Sequence, residues 1–346
     1  MCRKEAAQTV TRSVFDMKFS LVIPVYNRPN EVAELLESLT KQTDSDFEVI
    51  IVEDGSTMPC HEVVERYIGC LDIHCFAIPH SGQGQSRNYG AERAQGEYLI
   101  ILDSDIIVPE TYVANVRQFL EKRPVDAFGG PDCAHASFSN IQKAINYAMT
   151  SFFTTGGIRG GKKKLDKFFP RSFNMGVRRE VYQQLGGFRA MRFGEDIDFS
   201  YRIVEAGYTT VLIDSAFVYH KRRTDLRKFF RQVYNSGNAR VNLTILHPGT
   251  LKPVHLLPAA FTVGVVALVL LGCVYRVCWY VLLLYMVMIG VDASIRNKSA
   301  LIGTLAIAAS FVQLMGYGSG FLVAAWRRQL SYQGGDGAAR ELCDEI

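Results

Sequence analysis

Leu256 to Tyr275 is a run of 20 residues without one charged side chain. As a helix rising about 1.5 Å per residue it can cross a hydrocarbon core about 30 Å thick, and it reads as a transmembrane segment. Val277 to Val291 is apolar but shorter and Ala300 to Trp326 is longer, so the sequence leaves two or three crossings open. From Val254 to Trp326 only Arg276, Asp292, Arg296 and Lys298 carry a full charge at neutral pH, whereas the preceding residues have the mixed composition of a water-soluble α/β protein. That shift sets the expected domain plan: a disordered extension over 1–16, an α/β domain over 17–250, a membrane region over 254–328 and a polar tail over 329–346. The rival reading is a buried helical hairpin of a soluble protein.

Charge placement orients the segment. Arg296 and Lys298, with Lys252 and Arg222-Arg223 ahead of the first span, favour the cytoplasmic face of an inner membrane for the α/β domain. Arg327-Arg328 conflict with a third crossing, which puts them outside. Gly316-Tyr317-Gly318-Ser319-Gly320 reads as a break that lets the last segment bend back or lie in the interface. The N-terminus has no apolar core of a signal peptide, and Met17 looks like a natural start. The eight cysteines show no paired short spacing, and Cys273 and Cys278 fall in or beside the membrane segments, which suits a reduced cytosolic domain. A net charge of +4 is too mild for a nucleic-acid partner but suits a protein resting on anionic lipid.

Within the α/β domain, Phe19 to Val25 is a near-continuous apolar run, as expected of a parallel strand covered on both faces. Asn30 is placed to cap a following helix, whose Val32, Leu35, Leu36 and Leu39 form one apolar stripe. Strands are expected over Glu48–Glu53, Ile73–Ile78 and Tyr98–Leu102, with helices over His61–Ile68 and Gln83–Ala94. This alternation predicts a mostly parallel, Rossmann-like sheet with helices on both faces. In such sheets ligands bind beyond the carboxyl ends of the strands, so Asp54, Asp103 and Asp105 face one crevice.

Unpaired buried charge costs several kcal/mol, so Asp103 and Asp105 at a strand end require a cation, a hydrogen-bonded ligand or water. No Gly-x-Gly-x-x-Gly follows the first strand and no Gly-Lys-Ser/Thr loop is present, which argues against a dinucleotide-binding dehydrogenase and a P-loop ATPase. Oxygen ligands of this kind suit a hard divalent ion, Mg²⁺ or Mn²⁺, bridging to diphosphate oxygens.

Four stretches, "SLVIPVYNRPNEVAELLESLTKQ", "VIIVEDGST", "GQGQSRNYGAERAQGEYLIILDSD" and "NMGVRREVYQQLGGFRAMRFGEDIDFSYRI", resemble in order and spacing the inverting family 2 glycosyltransferases of GT-A fold, over roughly residues 17 to 240. The resemblance implies that Pro24, Tyr26 and Asn27 shape the nucleotide pocket, that Asp54 hydrogen-bonds base or ribose, and that Arg87 and Asn88 approach nucleotide or phosphate. It implies that Asp103 touches ribose beside Ser104, and that Asp105, with Asp103 and His220, holds the metal. Asn174 and Gly176 correspond to the loop framing the acceptor, the Gly186-Gly187-Phe188 turn leads to the base, and Asp196 is the general base with Glu195 as support. Each position also has a structural explanation: a strand-to-helix turn for Pro24 to Asn27, a turn aspartate for Asp54, a surface arginine for Arg87, a helix cap for Glu195-Asp196. The lysines of "GGKKKLDKFF" read equally as phosphate contacts or a solvated loop.

The Gln-x-x-Arg-Trp motif of processive relatives is missing, and "FFRQVYNSGNAR" resembles members that add one sugar. By analogy the donor is a nucleotide sugar, with UDP favoured, and the acceptor a saccharide or polyprenyl-linked carrier in envelope polysaccharide or glycolipid synthesis. A catalytically silent scaffold of a polysaccharide assembly and a nucleotidyltransferase are the competing readings.

Overall fold

The computed structural model describes residues 18–133, 135, 138–155 and 168–333, with side chains as far as Gln329. The expected extension over 1–16, Met17, the lysines of the "GGKKKLDKFF" segment and the polar tail beyond Gln333 lie outside the described residues. The expected strands and helices alternate as the sequence pattern requires: β1 (Phe19–Val25), α1 (Pro29–Leu39), β2 (Phe47–Asp54), α2 (His61–Glu65), β3 (Asp72–Ile78), α3 (Gln83–Arg93) and β4 (Tyr98–Leu102). Val32, Leu35, Leu36 and Leu39 of α1 are buried as the stripe predicts, each contributing about 1.5–3 kcal/mol by leaving water. Asn30, however, lies inside the helix; Arg28 takes the N-cap position and Pro29 opens the first turn, where its missing N–H costs nothing.

After β4 come β5 (Ile106–Ile107), α4 (Tyr112–Lys122), β6 (Ala127–Gly129), β7 (Asp132–Cys133), α5 (Asn140–Thr150), α6 (Phe152–Thr155), β8 (Asn174–Arg178), α7 (Arg179–Gln184), α8 (Glu195–Glu205), β9 (Thr210–Leu212) and β10 (Val218–His220). The main sheet has the order β3-β2-β1-β4-β8-β6-β9, and a second sheet pairs β5-β10-β7. β1 pairs in parallel with both β2 and β4, whereas β8 runs antiparallel to β4 and β6. The chain therefore winds outward from β1 in one direction and restarts on its other side at β4. The crevice opens between those two strands, where ligands are expected in a doubly wound sheet.

The remaining helices are α9 (Leu226–Leu246), α10 (Leu257–Gly272), α11 (Val277–Asn297) and α12 (Ala300–Gln333). Three segments, Pro253–Gly272, Val277–Asn297 and Ala300–Gln329, are long and apolar enough to cross a membrane. The glycine run in α12 is no break, because the helix continues through it. A side chain at Gly316 would strike Val233 of α9, one at Gly320 the Tyr234 backbone, and one at Gly318 the Pro258 backbone of α10. Gly237 of α9 meets the Tyr317 carbonyl in return. Small residues here let backbones approach closely, which is why the sequence pattern looked like a hinge.

Candidate active site

The two faces of the crevice meet through Asp105. It follows β4, and the antiparallel pairing of β5 with β10 sets His220 opposite Ile106, one residue further on. Asp103, Asp105 and His220 each offer a ligand atom, all within 4.8 Å of one another. His220 Nε2 lies 3.2 Å from Asp105 Oδ1, and the Phe173 ring stacks on the imidazole at 5.2 Å, which fixes its orientation. On the other carboxylate oxygen, Arg28 Nη1 sits at 2.5 Å and Arg223 Nη1 at 3.6 Å. Burial alone would raise the Asp105 carboxyl, but His220, Arg28 and Arg223 hold it well below the usual range. Burial likewise opposes charge on His220, and the neighbouring Asp105 outweighs it, so the imidazole is shifted above its ordinary value. Asp105 Oδ1 is buried and meets His220 only as an ion pair without good hydrogen-bond geometry, and His220 Nδ1 is buried with no hydrogen-bond partner. A hard cation facing Asp103 and Asp105 fits that donor set, with imidazole an acceptable third ligand.

A second carboxylate pair sits at the N-terminus of α8. Gly194 precedes it with φ 88, a left-handed conformation that glycine adopts without the cost of a Cβ, and it lets the chain turn sharply into the helix. Glu195 and Asp196 then lie in the first turn, where the backbone dipoles favour negative charge. Their environments pull them apart. Glu195 is raised by burial and by the charge of Asp196, although Arg87 works against this. Asp196 would also be raised by burial, but Arg171, whose Nε donates to Oδ2 at 2.7 Å, holds it below the ordinary range. The Ile197 N–H donates to its other oxygen at 2.9 Å. Of the two neighbours, Asp196 is the one shifted toward the ionised form, the state a proton acceptor requires.

Arg87 joins the two carboxylate groups. It is 1 % exposed, donates from Nη1 to Glu195 Oε1 at 2.8 Å and from Nη2 to Asp103 Oδ1 at 3.0 Å, and lies over the Phe188 ring. A surface arginine is thus excluded, and the guanidinium is a strut within the protein. Arg87→Met leaves two buried carboxylates without their counter-charge. Breaking a buried pair in this way typically costs about 3–5 kcal/mol, so thermal unfolding of the variant is expected at markedly lower temperature.

The other sequence-derived positions separate into two groups. Tyr26 is exposed at the crevice rim, its ring 4.8 Å from that of His80. Asn27 (φ 54) accepts from the backbone N–H groups of Thr57 and Met58, tying the loop after β1 to the loop after β2. Pro24 lies in β1 and Ser104 is buried in the turn with the aspartates. Asp54 is buried and accepts from the backbone N–H groups of Ser81 and Gly82 at 2.6 and 3.0 Å, so it builds the turn into α3. Asn88 binds both backbone groups of Phe188 and the Tyr182 hydroxyl, fixing the turn before α8. Asn174 and Gly176 lie within β8 rather than on a loop: Asn174 bonds Tyr112 and the Ala216 carbonyl, and Gly176 is packed against the Phe128 ring. Sequence reasoning passed over Arg28, Arg171, Phe173 and Arg223. Arg28 alone carried a signal, lying inside the first quoted stretch.

A second acidic group, Glu48, Asp72 and His74, lies at the starts of β2 and β3, the opposite edge of the sheet from the crevice. Lys18 already pairs with Asp72, and Glu48 accepts from Ser20 and the Gln95 N–H.

Residues 20–186 match the glycosyl transferase family 2 model. An uncharacterized glycosyltransferase of Haemophilus influenzae is 29% identical over 218 residues, covering 60% of this chain and 70% of the relative. The poly(ribitol-phosphate) beta-N-acetylglucosaminyltransferase TarS of Staphylococcus aureus is 32% identical over 114 residues, covering 32% of this chain and only 20% of that protein. The mannosyltransferase PcManGT from Pyrobaculum calidifontis, solved with GDP-Man and Mn²⁺, has the same fold: the TM-score is 0.61 at 18% identity, over 88% of this chain and 86% of that one. The chain is thus similar to glycosyl transferase family 2 over residues 20–186, shares the fold of a solved mannosyltransferase, and carries C-terminal helices long and apolar enough to cross a membrane.

Proposed function

We propose that the chain transfers one sugar from a nucleoside-diphosphate sugar to a hydroxyl or phosphate acceptor, with inversion at the anomeric carbon. The observation that carries this reading is the convergence of Asp103, Asp105 and His220, whose ligand atoms all lie within 4.8 Å of one another at the strand end. These three residues would hold Mg²⁺ or Mn²⁺, which when bound supplies Lewis-acid neutralisation of the departing diphosphate. Arg28 and Arg223, drawn to the same corner by Asp105, add fixed positive charge where phosphate oxygens come to lie. The Tyr26 and His80 rings at the rim offer an aromatic face for the nucleobase. Asp196 accepts the proton of the acceptor hydroxyl as that oxygen attacks from the opposite face, and an α-linked donor gives a β-linked product. Glu195, tethered by Arg87, positions the turn.

PcManGT was solved with GDP-Man and Mn²⁺, and TarS is named for N-acetylglucosaminyl transfer, which supports a nucleotide-sugar donor without choosing between them; UDP is favoured by the family resemblance. The C-terminal helices support a lipid-linked saccharide or polyprenyl phosphate as acceptor, presented at the cytoplasmic leaflet of the inner membrane, in envelope polysaccharide or glycolipid synthesis. Incubation of the purified chain with a panel of UDP- and GDP-sugars and lipid-linked acceptors, with and without Mn²⁺, tests the reading. Metal-dependent release of nucleoside diphosphate supports it. Pyrophosphate release points instead to nucleotidyl transfer, and silence across the panel to a scaffold.

A further inference from the structure

We infer that the hairpin of α10 and α11 is the element inserted into lipid, and that α12, despite its length and hydropathy, does not cross the membrane but lies along the catalytic domain as a strut. The reading rests on the membrane association proposed above and not on the transfer chemistry. By composition alone the three helices are alike, with mean hydropathies of 2.3, 1.8 and 1.6 over their spans. Their surroundings differ. Of the most apolar window of each, 17% of α10 and 11% of α11 is covered by protein, against 39% of α12.

The cover on α12 comes partly from the domain-side ends of α10 and α11, at Pro258, Phe261, Ile289 and Ala293, and otherwise from the catalytic domain, which meets both of its halves. Its first half, at Ile302, Ala306 and Ala309, shares an apolar cluster with Ala144, Ile145 and Ala148 of α5 as well as with Ile289 and Ala293 of α11. Its second half meets α9 through Gly316 and Gly320, at the backbone-to-backbone approach described above. Both helices are themselves fixed to the domain. Gln142 of α5 donates to the Arg222 carbonyl, and His247 at the end of α9 bonds Asp198 and Glu205 of the α8 helix that carries Asp196. If α12 crossed the bilayer, α5 and α9 would be carried into it, with the exposed Arg227, Lys228 and Arg231 of α9. Each such charge at the bilayer centre costs about 2.5–3.5 kcal/mol or more, so that arrangement is disfavoured.

The hairpin has the opposite character. Leu270, Leu271, Val274, Tyr275, Tyr280 and Leu284 around its tip are 49–73% exposed. The Trp279 indole donates to the Gly272 carbonyl at 3.0 Å and closes the turn between the helices. At about 1.5 Å per residue the 16 and 21 residues of α10 and α11 are close to the length of the hydrocarbon core, enough to bring Arg276 to the opposite head groups. Two insertions rather than three also return Arg327-Arg328 to the side of the catalytic domain, which removes the conflict with the basic residues Lys252, Arg296 and Lys298.

The test uses the full chain with an epitope tag at each end, in membrane vesicles treated with a protease that cannot enter them. Both tags are expected to be lost together in vesicles of one orientation and protected together in the other. Loss of one tag with protection of the other in either orientation overturns the inference. The chain has two tryptophans, so Trp326→Phe leaves Trp279 as the sole indole reporter. Its emission is expected to be lost in lipids brominated on the acyl chain and retained in unbrominated lipid. Emission unaffected by bromination removes the hairpin from the bilayer and overturns the inference even if nucleoside diphosphate release is normal, whereas failure of donor turnover leaves both readouts standing.

Discussion

Asp196→Asn is expected to lower kcat by about 10²–10⁴-fold, the contribution of a positioned general base, while leaving the affinity for the nucleotide sugar close to that of the parent chain. The separation follows from geometry. Asp196 is bonded to Arg171 and the Ile197 N–H, and it contacts none of Asp103, Asp105 and His220 directly, being linked to Asp103 through Glu195 and Arg87. An asparagine keeps the shape and the Ile197 bond but cannot take a proton. Donor affinity by calorimetry and single-turnover rates check the two halves; a near-normal rate in the variant removes Asp196 from the role of base.

The same residue fixes the pH response. Because Arg171 holds the folded-state Asp196 below its unfolded value, the carboxylate is protonated at lower pH than an ordinary aspartate. Activity that depends on it is expected to fail only at correspondingly more acid pH. Its contribution to stability has the same sign: present above the unfolded value, and lost as pH falls through the lower folded one. Arg171→Gln removes the cause, so the acid limb of the rate profile is expected to move up in pH.

Much of the scaffold was legible because one-dimensional periodicity determines it. The ends of β1 and β4 match the apolar runs, and the α1 stripe is the one buried. What the pattern does not carry is direction and partner. Arg87 occupies a helix position that reads as solvent-facing until the chain is folded, and it is fully buried because carboxylates from the end of β4 and the start of α8 converge on it. Asn174 and Gly176 lie in a motif whose family role is on a loop, yet the local alternation of β8 already marked a strand, and the antiparallel pairing to β4 buries both. The glycines of α12 misled for a related reason: glycine signals either freedom or close approach, and only the Tyr234 and Pro258 backbones distinguish the two.

Asp105→Ala is expected to abolish metal-dependent donor binding and to lower kcat/KM by about 10³-fold or more, since a Lewis acid at a departing phosphate is worth several kcal/mol and each 1.36 kcal/mol is tenfold. The alanine removes a candidate ligand and also the charge around which the corner is organised. Arg28, Arg223 and His220 all face Asp105, and without it their mutual repulsion is no longer compensated. His220 is held above its ordinary pKa against the cost of burial by Asp105 and, to a lesser degree, Asp103, so the substitution is expected to lower it. Asp105→Asn preserves volume while removing the charge, and separates loss of ligation from loss of packing: titrations with Mn²⁺ followed by paramagnetic broadening or calorimetry are expected to show weak binding in both variants. Asp103→Asn provides the comparison on the same turn. Its carboxylate is already bonded to Arg87 Nη2 at 3.0 Å and is more exposed than Asp105, so its replacement is expected to weaken Mn²⁺ less. Equal Mn²⁺ affinity in Asp105→Ala and the parent chain locates the cation elsewhere, and with it the chemistry assigned to the crevice between β1 and β4.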